Sequence, residues 1–422
     1  MMSIARARRL WWGFGPAVLI VVVALTIWAA LTNGPAPAGP HALASAGPVS
    51  SAPVPSAPVS SAPVPSASSS GGSLQDCVAA TVAGLSAEER AGQLVMVGTS
   101  VNQPRGLGPA VARYHLGGVF LAGRSKRSAG ALRADVDALQ RHAGLPLLVA
   151  LDQEGGSVQT LKGPDFPLIP SAERLGRSSA AELRQTVRDN ARRLAAAGIT
   201  VNLAPVADTV PAGLGMRNPP IGAFHRQYGS DPNRVAEDVR TVVAASQDAG
   251  VLTIVKHFPG LGRVRANTDT STRAVDGTAT ATDPYLEPFV AGMQAGTAGV
   301  MMSSASYPRL DRQNIAAFSR PIVTGLLRDR LGYPGLVMSD DLGAAQAAGS
   351  VPTGDRAVRF VAAGGDLVLT IRPQDAGPMT GALIAAAGKS PAFAARVTDA
   401  ARHVVQSKYR AGLLRCPTLP AG

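Results

Sequence analysis

The stretch LTIVKHFPGLGRVRANTD, residues 252–269, decides how this chain folds. Leu252 to Val255 form a short run with β-branched residues and no polar alternation; it stops at Lys256 and His257, and a glycine-containing loop follows with Asp269 at its end. A strand that is apolar on both faces belongs in a parallel sheet covered by helices. Seven further runs have the same form: QLVMVG, GGVFLAG, LPLLVALD, TVNLAPVAD, GVMMSS, GLVMSDD and DLVLTIR. Between most of them lie helix-length stretches with 3.6-residue periodicity, at 129–144, 180–198 and 231–250, each closing on glycine. Residues 394–413 read as a closing helix. Eight evenly spaced strand-plus-helix units predict an α/β protein with a (β/α)8 TIM-type barrel as its single catalytic domain. A doubly wound open sheet is the competing architecture, and the regular spacing favours closure.

Working outward, the barrel is expected over 74–422, behind two segments of different character. Arg6, Arg8 and Arg9 precede an uncharged apolar run from Leu10 to Leu31, about the length that spans a bilayer. Residues 1–33 therefore read as a signal-anchor with its basic end in the cytoplasm, and the alternative, a cleaved secretory signal, also exports the chain. No cysteine follows the apolar run, which excludes a lipid anchor. Residues 34–73 are rich in Pro, Ala and Ser and carry SSAPVPSAPV at 50–59, repeated imperfectly at 60–69, as expected of an extended tether. The expected location is the cell membrane, with the catalytic domain extracytoplasmic.

Of the 422 residues 46% are hydrophobic and 4% aromatic, ample for a core, and the net charge is +12, or +9 once the three N-terminal arginines are set aside. A basic exported domain favours anionic wall polymers or headgroups as neighbours. Nucleic acid is not an expected partner, because no aromatic-interleaved basic motif, zinc-ligand spacing or helix-turn-helix pattern occurs. The two cysteines, Cys77 and Cys416, stand at opposite ends of the folded region. Barrel closure would bring those ends together, so the pair is read as one disulfide, with two separate thiols as the alternative.

Side chains at the C-terminal ends of barrel strands face the mouth. That rule places Asp152, Asp208, Lys256 with His257, Ser303 with Ser304, Asp340 with Asp341, and Arg372 on one rim. Lysine is scarce in this arginine-rich chain, occurring only at 126, 162, 256, 389 and 408, which singles out Lys256. Carboxylates, a Lys-His pair and an arginine suit sugar hydroxyls and glycosidic cleavage. Metal-assisted hydrolysis through Asp152, Asp208, His257 and Asp340 ranks lower, because paired histidines and H-x-x-x-H spacing are missing.

Five motifs in order then carry a resemblance: LDQEGGSVQ (151–159), NLAPVAD (202–208), IGAFHRQYGSDP (221–232), KHFPG (256–260) and VMSDDL (337–342). Over roughly 80–410 the chain resembles glycoside hydrolase family 3, in its short single-barrel β-N-acetylglucosaminidase branch. The resemblance implies a retaining exo-glycosidase with Asp340 as nucleophile and with Asp152, Arg226, Lys256 and His257 holding the sugar. It implies a carbohydrate substrate in peptidoglycan fragments or other wall glycans, no cofactor, and a monomer.

The sequence departs from that branch in the loop. KHFPGHG and an Asp-Ser-His triplet are expected, whereas this chain has Leu261 and Asn267-Thr268-Asp269. Without gaps, Asp269 falls where the acid/base histidine would be, and Asn267 where its orienting aspartate would be. Three readings stay open: Asp269 is the acid/base with Asn267 as partner; the loop has lost its donor, leaving a slow enzyme or a glycan-binding protein; or His225 supplies the proton. Ser157 stands where the branch commonly has arginine, and MMSSASYP (301–308) lacks a frequent histidine, which leaves a β-glucosidase-type specificity open.

Overall fold

The computed structural model describes residues 73–416; the anchor expected over 1–33 and nearly all of the tether expected over 34–73 lie outside the described residues. Among the described residues no helix is long and apolar enough to cross a membrane.

All eight predicted runs become parallel strands: β1 (Val95–Ser100), β2 (Gly118–Ala122), β3 (Leu148–Leu151), β4 (Val201–Asn202), β5 (Leu252–Phe258), β6 (Gly299–Met302), β7 (Leu336–Asp341) and β8 (Leu367–Thr370). They follow one another around a closed barrel, and β1 meets β8 with Val95 opposite Val368. The expectation of closure holds, and the open sheet is excluded.

The uninterrupted hydrophobicity now has its physical reason. Successive strand residues point to opposite faces. Met96, Leu148, Ala150, Leu252, Ile254, Leu336, Met338, Leu367 and Leu369 fill the barrel interior, while Val95, Val97, Val149, Val255, Val337 and Val368 pack outward under the helices. Both sides are dry, so neither can be polar. The same parity carries the interior face on to Asp152 after β3, Lys256 on β5 and Asp340 on β7, so these three enter the mouth from the barrel axis.

The outer layer comprises helices Gly108–Tyr114, Ala129–Gln140, Ala180–Ala196, Pro232–Gln247, Glu287–Gln294, the π-helix Pro321–Arg330, Thr353–Ala363 and Ala376–Lys389. Serines start several helices: Ser128, Ser179 and Ser390 accept first-turn backbone N–H groups, and Ser73 and Ser86 form capping boxes with Asp76 and Glu89. The helix expected over 129–144 stops at Gln140, four residues short of Gly144. Its last side chain is bound to Leu147 instead, accepting from the backbone N–H (2.7 Å) and donating to the carbonyl (3.0 Å).

Helices Leu74–Ala83 and Pro391–Arg410 lie together at the closure, where Cys77 and Cys416 form a disulfide with their Cα atoms 5.8 Å apart. The expectation of separate thiols is thereby overturned. A cross-link spanning 339 positions restricts the unfolded chain strongly. Cys77→Ser should therefore lower stability by up to about 5 kcal/mol, roughly 10 °C in melting temperature, with unchanged far-ultraviolet dichroism. A thermal melt with and without reductant checks this: reductant should lower the wild-type midpoint and leave the variant unmoved.

Candidate active site

The strand ends converge on a cavity of about 530 Å³ at the C-terminal mouth of the barrel. Its floor is the top of the barrel core, with Phe120, Leu203, Met301 and Leu369. Its walls include Asp152, Arg226, Lys256, His257, Asn267, Asp269 and Asp340, so the nucleophile, acid/base and sugar-holding residues that the resemblance implied reach one chamber.

The base of this chamber is a buried charge cluster. Lys256, 2% exposed, places its ammonium 2.6 Å from Asp152 and 2.7 Å from Glu154. Arg226 donates twice to the same Glu154, Nε at 2.8 Å and Nη2 at 2.7 Å, and its Nη1 donates to the Pro220 carbonyl at 2.8 Å. Burial by itself would raise the Glu154 carboxyl, but the facing Arg226 and Lys256 outweigh it and hold the group at about 2. Burial likewise works against the Lys256 charge, and Asp152 and Glu154 prevail and raise it above the ordinary lysine range.

Glu154 was not among the candidates from sequence. Its signal was present in LDQEGG, two residues after Asp152, but the strand-end rule points only at Asp152. A short hairpin, Gln153–Gly155 paired with Val158–Gln159, turns Glu154 back beneath the mouth. Gly155 permits this with φ +101, and a Cβ there would fall 2.4 Å from the Pro170 carbonyl oxygen.

Asp208, expected on the rim, is instead wholly buried below His257. It accepts from His257 Nδ1 at 2.7 Å and from the backbone N–H of Leu261 at 2.7 Å, so it fixes both the ring and the start of the loop. With Nδ1 engaged, His257 turns Nε2 toward Arg226 at 3.5 Å. Ser303 and Ser304 are also buried; Ser303 Oγ accepts from Tyr307 and the Ala305 backbone. Exposed Arg372 donates to the Gly343 carbonyl and stands off the cavity wall. Asp208, Ser303 and Arg372 have their polar groups claimed by neighbours on the scaffold, whereas the buried Ser304 hydroxyl has no hydrogen-bond partner among the described residues. Asp341 does line the cavity, with its carboxylate accepting the N–H groups of Gly343, Ala344 and Ile371.

The loop after β5 is well anchored despite its length. Arg263 pairs with Asp276 (2.9 Å) and Asp283 (2.5 Å) and stacks over Tyr285, and Asn218 donates to the Leu261 and Val264 carbonyls. Leu261, where a histidine was expected, is 2% exposed and packs into the core. The tip rests on the segment after β7: the Ala347 N–H donates to the Thr268 carbonyl at 3.2 Å and the Gln346 N–H to that of Asp269 at 3.4 Å. The loop bearing Asp269 is therefore fastened to the chain that bears Asp340.

Asn267 does not meet the Asp269 carboxyl; its Oδ1 accepts from the Asp269 backbone N–H at 2.9 Å, shaping the turn. Partial burial at the wall and the Asp340 carboxylate raise the Asp269 carboxyl above the ordinary aspartate range, against the pull of His257 and Arg226. As a residue Asp269 is exposed, so water screens these influences. His225, the other proton donor offered by the sequence, pairs its ring with Glu173 at 2.5 Å and is not among the residues that line the cavity, whereas Asp269 is. Among the described residues no three His, Cys, Asp or Glu side chains are grouped to hold a metal ion.

With this geometry in view, the comparisons with known proteins agree. The family described as "Glycosyl hydrolase family 3 N terminal domain" matches residues 86–407. A β-hexosaminidase of Xanthomonas euvesicatoria pv. vesicatoria (strain 85-10) is 33% identical over 253 residues, covering 56% of this chain and 71% of that protein. The chain is similar in structure to the β-N-acetylhexosaminidase of Beutenbergia cavernae DSM 12333, with TM-score 0.76 and 45% identity over 77% of this chain and 99% of that one. A family 3 β-N-acetylglucosaminidase from Paenibacillus sp. str. FPU-7 matches with TM-score 0.69 and 28% identity, over 80% of this chain and 65% of that one. The chain belongs to glycosyl hydrolase family 3.

The charge cluster makes stability depend on acid. Glu154 titrates in the fold at about 2 rather than at its ordinary 4.5, so the stability it contributes is complete above pH 4.5 and is lost as pH falls toward 2. Glu154→Gln should cost roughly 3–5 kcal/mol at neutral pH, by leaving Lys256 and Arg226 short of a carboxylate, and should flatten that acid dependence. Urea unfolding followed at several pH values measures both; parallel pH curves for the two proteins would count against this account.

Proposed function

We propose that the protein is a retaining exo-glycosidase that releases terminal β-linked N-acetylglucosamine from peptidoglycan fragments or related wall glycans. The observation that carries this reading is the single chamber lined by both Asp340 and Asp269 together with Asp152, Lys256 and Arg226 of the buried charge cluster. The β-N-acetylhexosaminidase and β-N-acetylglucosaminidase relatives support the choice of sugar.

In this reading the cluster and His257 hold the terminal sugar. Asp152 offers carboxylate oxygen to its hydroxyls, and Lys256 and Arg226, pinned through Glu154, keep the donors in place without reorganisation. Asp340 attacks the anomeric carbon while Asp269 gives its proton to the departing glycosidic oxygen; water, deprotonated by Asp269, then displaces Asp340 and frees the sugar. A raised Asp269 is what the first step asks of an acid, and once the glycosyl ester neutralises Asp340 its pull on that proton weakens.

We assign the domain to the outer face of the membrane, tethered through residues 1–73, as a monomer. The apolar run with its basic flank supports the anchor, and the Cys77–Cys416 disulfide fits an oxidising compartment.

Two substrates test the roles. On an activated aryl β-N-acetylglucosaminide, Asp269→Ala should keep kcat/KM within about tenfold, because the leaving group departs unaided, while kcat falls as the second step loses its base. On a disaccharide it should lose about 10²- to 10⁴-fold. Asp340→Asn should lose both, and a glycan binder would be indifferent to it. The alkaline limb of kcat/KM on the disaccharide should lie above the ordinary aspartate range in wild type, because activity falls as Asp269 loses its proton. Equal losses on both substrates for Asp269→Ala would sink the acid assignment.

A further inference from the structure

Most cations of the cavity are already matched. Arg226 spends two donors on Glu154, and Lys256 is held by Asp152 and Glu154. His257 faces Asp208. Arg124, just past β2, differs: it lines the cavity and is exposed, and among the described residues it is the one cavity-lining arginine or lysine with no carboxylate partner. Its guanidinium touches only backbone, Nη1 donating to the Gly123 carbonyl at 3.1 Å and Nη2 to that of Ser157 at 3.0 Å. Those two bonds fix the fork at the rim and use two of its five N–H donors, leaving three without a protein partner among the described residues.

Position in the barrel gives this cation its meaning. The matched charges sit at the base, where the terminal sugar is held, whereas Arg124, exposed just past the end of β2, stands at the mouth. A chain entering by its end places its second unit there. Ser157, beside Arg124, turns its hydroxyl toward the Phe224 carbonyl (3.3 Å). Phe224 and Ile371, two of the few large hydrophobic residues exposed among the described residues (46% and 40%), also line the rim and offer apolar contact to a sugar ring.

We infer that Arg124 is a specificity-determining residue that receives a carboxylate on the unit beyond the scissile bond, so that the enzyme prefers an anionic leaving portion to a neutral one. This rests on the glycosidase reading above and refines its substrate class. A guanidinium on a carboxylate at a partly solvated rim contributes about one order of magnitude in discrimination. Two sources of that carboxylate share the chemistry: an acid ether on the second sugar, or an acidic peptide attached through it.

The test compares, in wild type, Arg124→Gln and Arg124→Lys, the kcat/KM for a β-N-acetylglucosaminyl disaccharide whose second sugar bears a lactyl ether, as free acid and as primary amide. A second pair carries a short peptide on the lactyl group, ending in a carboxylate or its amide. The acid-to-amide ratio is internal to each protein, so a general loss of activity cancels. Wild type should favour the acid about tenfold in one pair, Arg124→Gln should bring that ratio to about one, and Arg124→Lys should retain part of it. A drop confined to the first pair places the carboxylate on the sugar, and one confined to the second places it on the peptide. A wild-type ratio near one in both pairs, or a ratio that Arg124→Gln leaves unchanged, overturns the inference. Failure of wild type on the activated aryl glucosaminide and on all four disaccharides overturns the glycosidase reading itself, and this inference with it.

Discussion

Glu154 is the carboxylate on which the rest of the site depends. Two cations, Lys256 and Arg226, converge on one buried acid, and each would be costly there alone. Because the three satisfy one another, Lys256 can point up the barrel axis to Asp152, and Arg226 can reach across from the loop after β4 toward His257. The arrangement is rigid before any sugar arrives, so binding spends little on ordering the protein.

Around that fixed base the two carboxylates proposed for catalysis are held differently. Asp340 ends β7 and inherits the stiffness of the barrel. Asp269 sits on a loop, yet that loop is riveted by Arg263 and docked through Thr268 onto the chain following β7. In the proposed reading one aspartate stands in for a His–Asp pair, and the loop keeps its support: Leu261 is buried in the core, and Asn267 braces the backbone. Two carboxylates facing each other also supply a direct means of raising one of them, which a histidine donor would not need.

Much of this was legible along the chain, for identifiable reasons. Strand runs such as LTIV and LVM are apolar at every position because one parity fills the barrel and the other meets the helices, so the periodicity alone revealed the sheet and its closure. The same parity delivered Asp152, Lys256 and Asp340 to the mouth. The strand-end rule misplaced Asp208, Ser303 and Arg372, whose polar groups are taken by His257, Tyr307 and nearby backbone, and Ser304, which is buried without a partner among the described residues. No pattern of spacing records such local competition.

The sequence by itself determined the barrel, the pairing of the distant cysteines as an expectation, the strand that carries Asp340, and the family, because periodic burial and contiguous motifs are local properties. Only the tertiary structure decided that Glu154 joins Lys256 to Arg226, that His225 is committed to Glu173 and lies off the cavity, and that Arg124 meets the chamber without an acidic partner. Each of these depends on side chains brought together from separate loops of the ring, and it is barrel closure, not neighbourhood in the chain, that sets those distances.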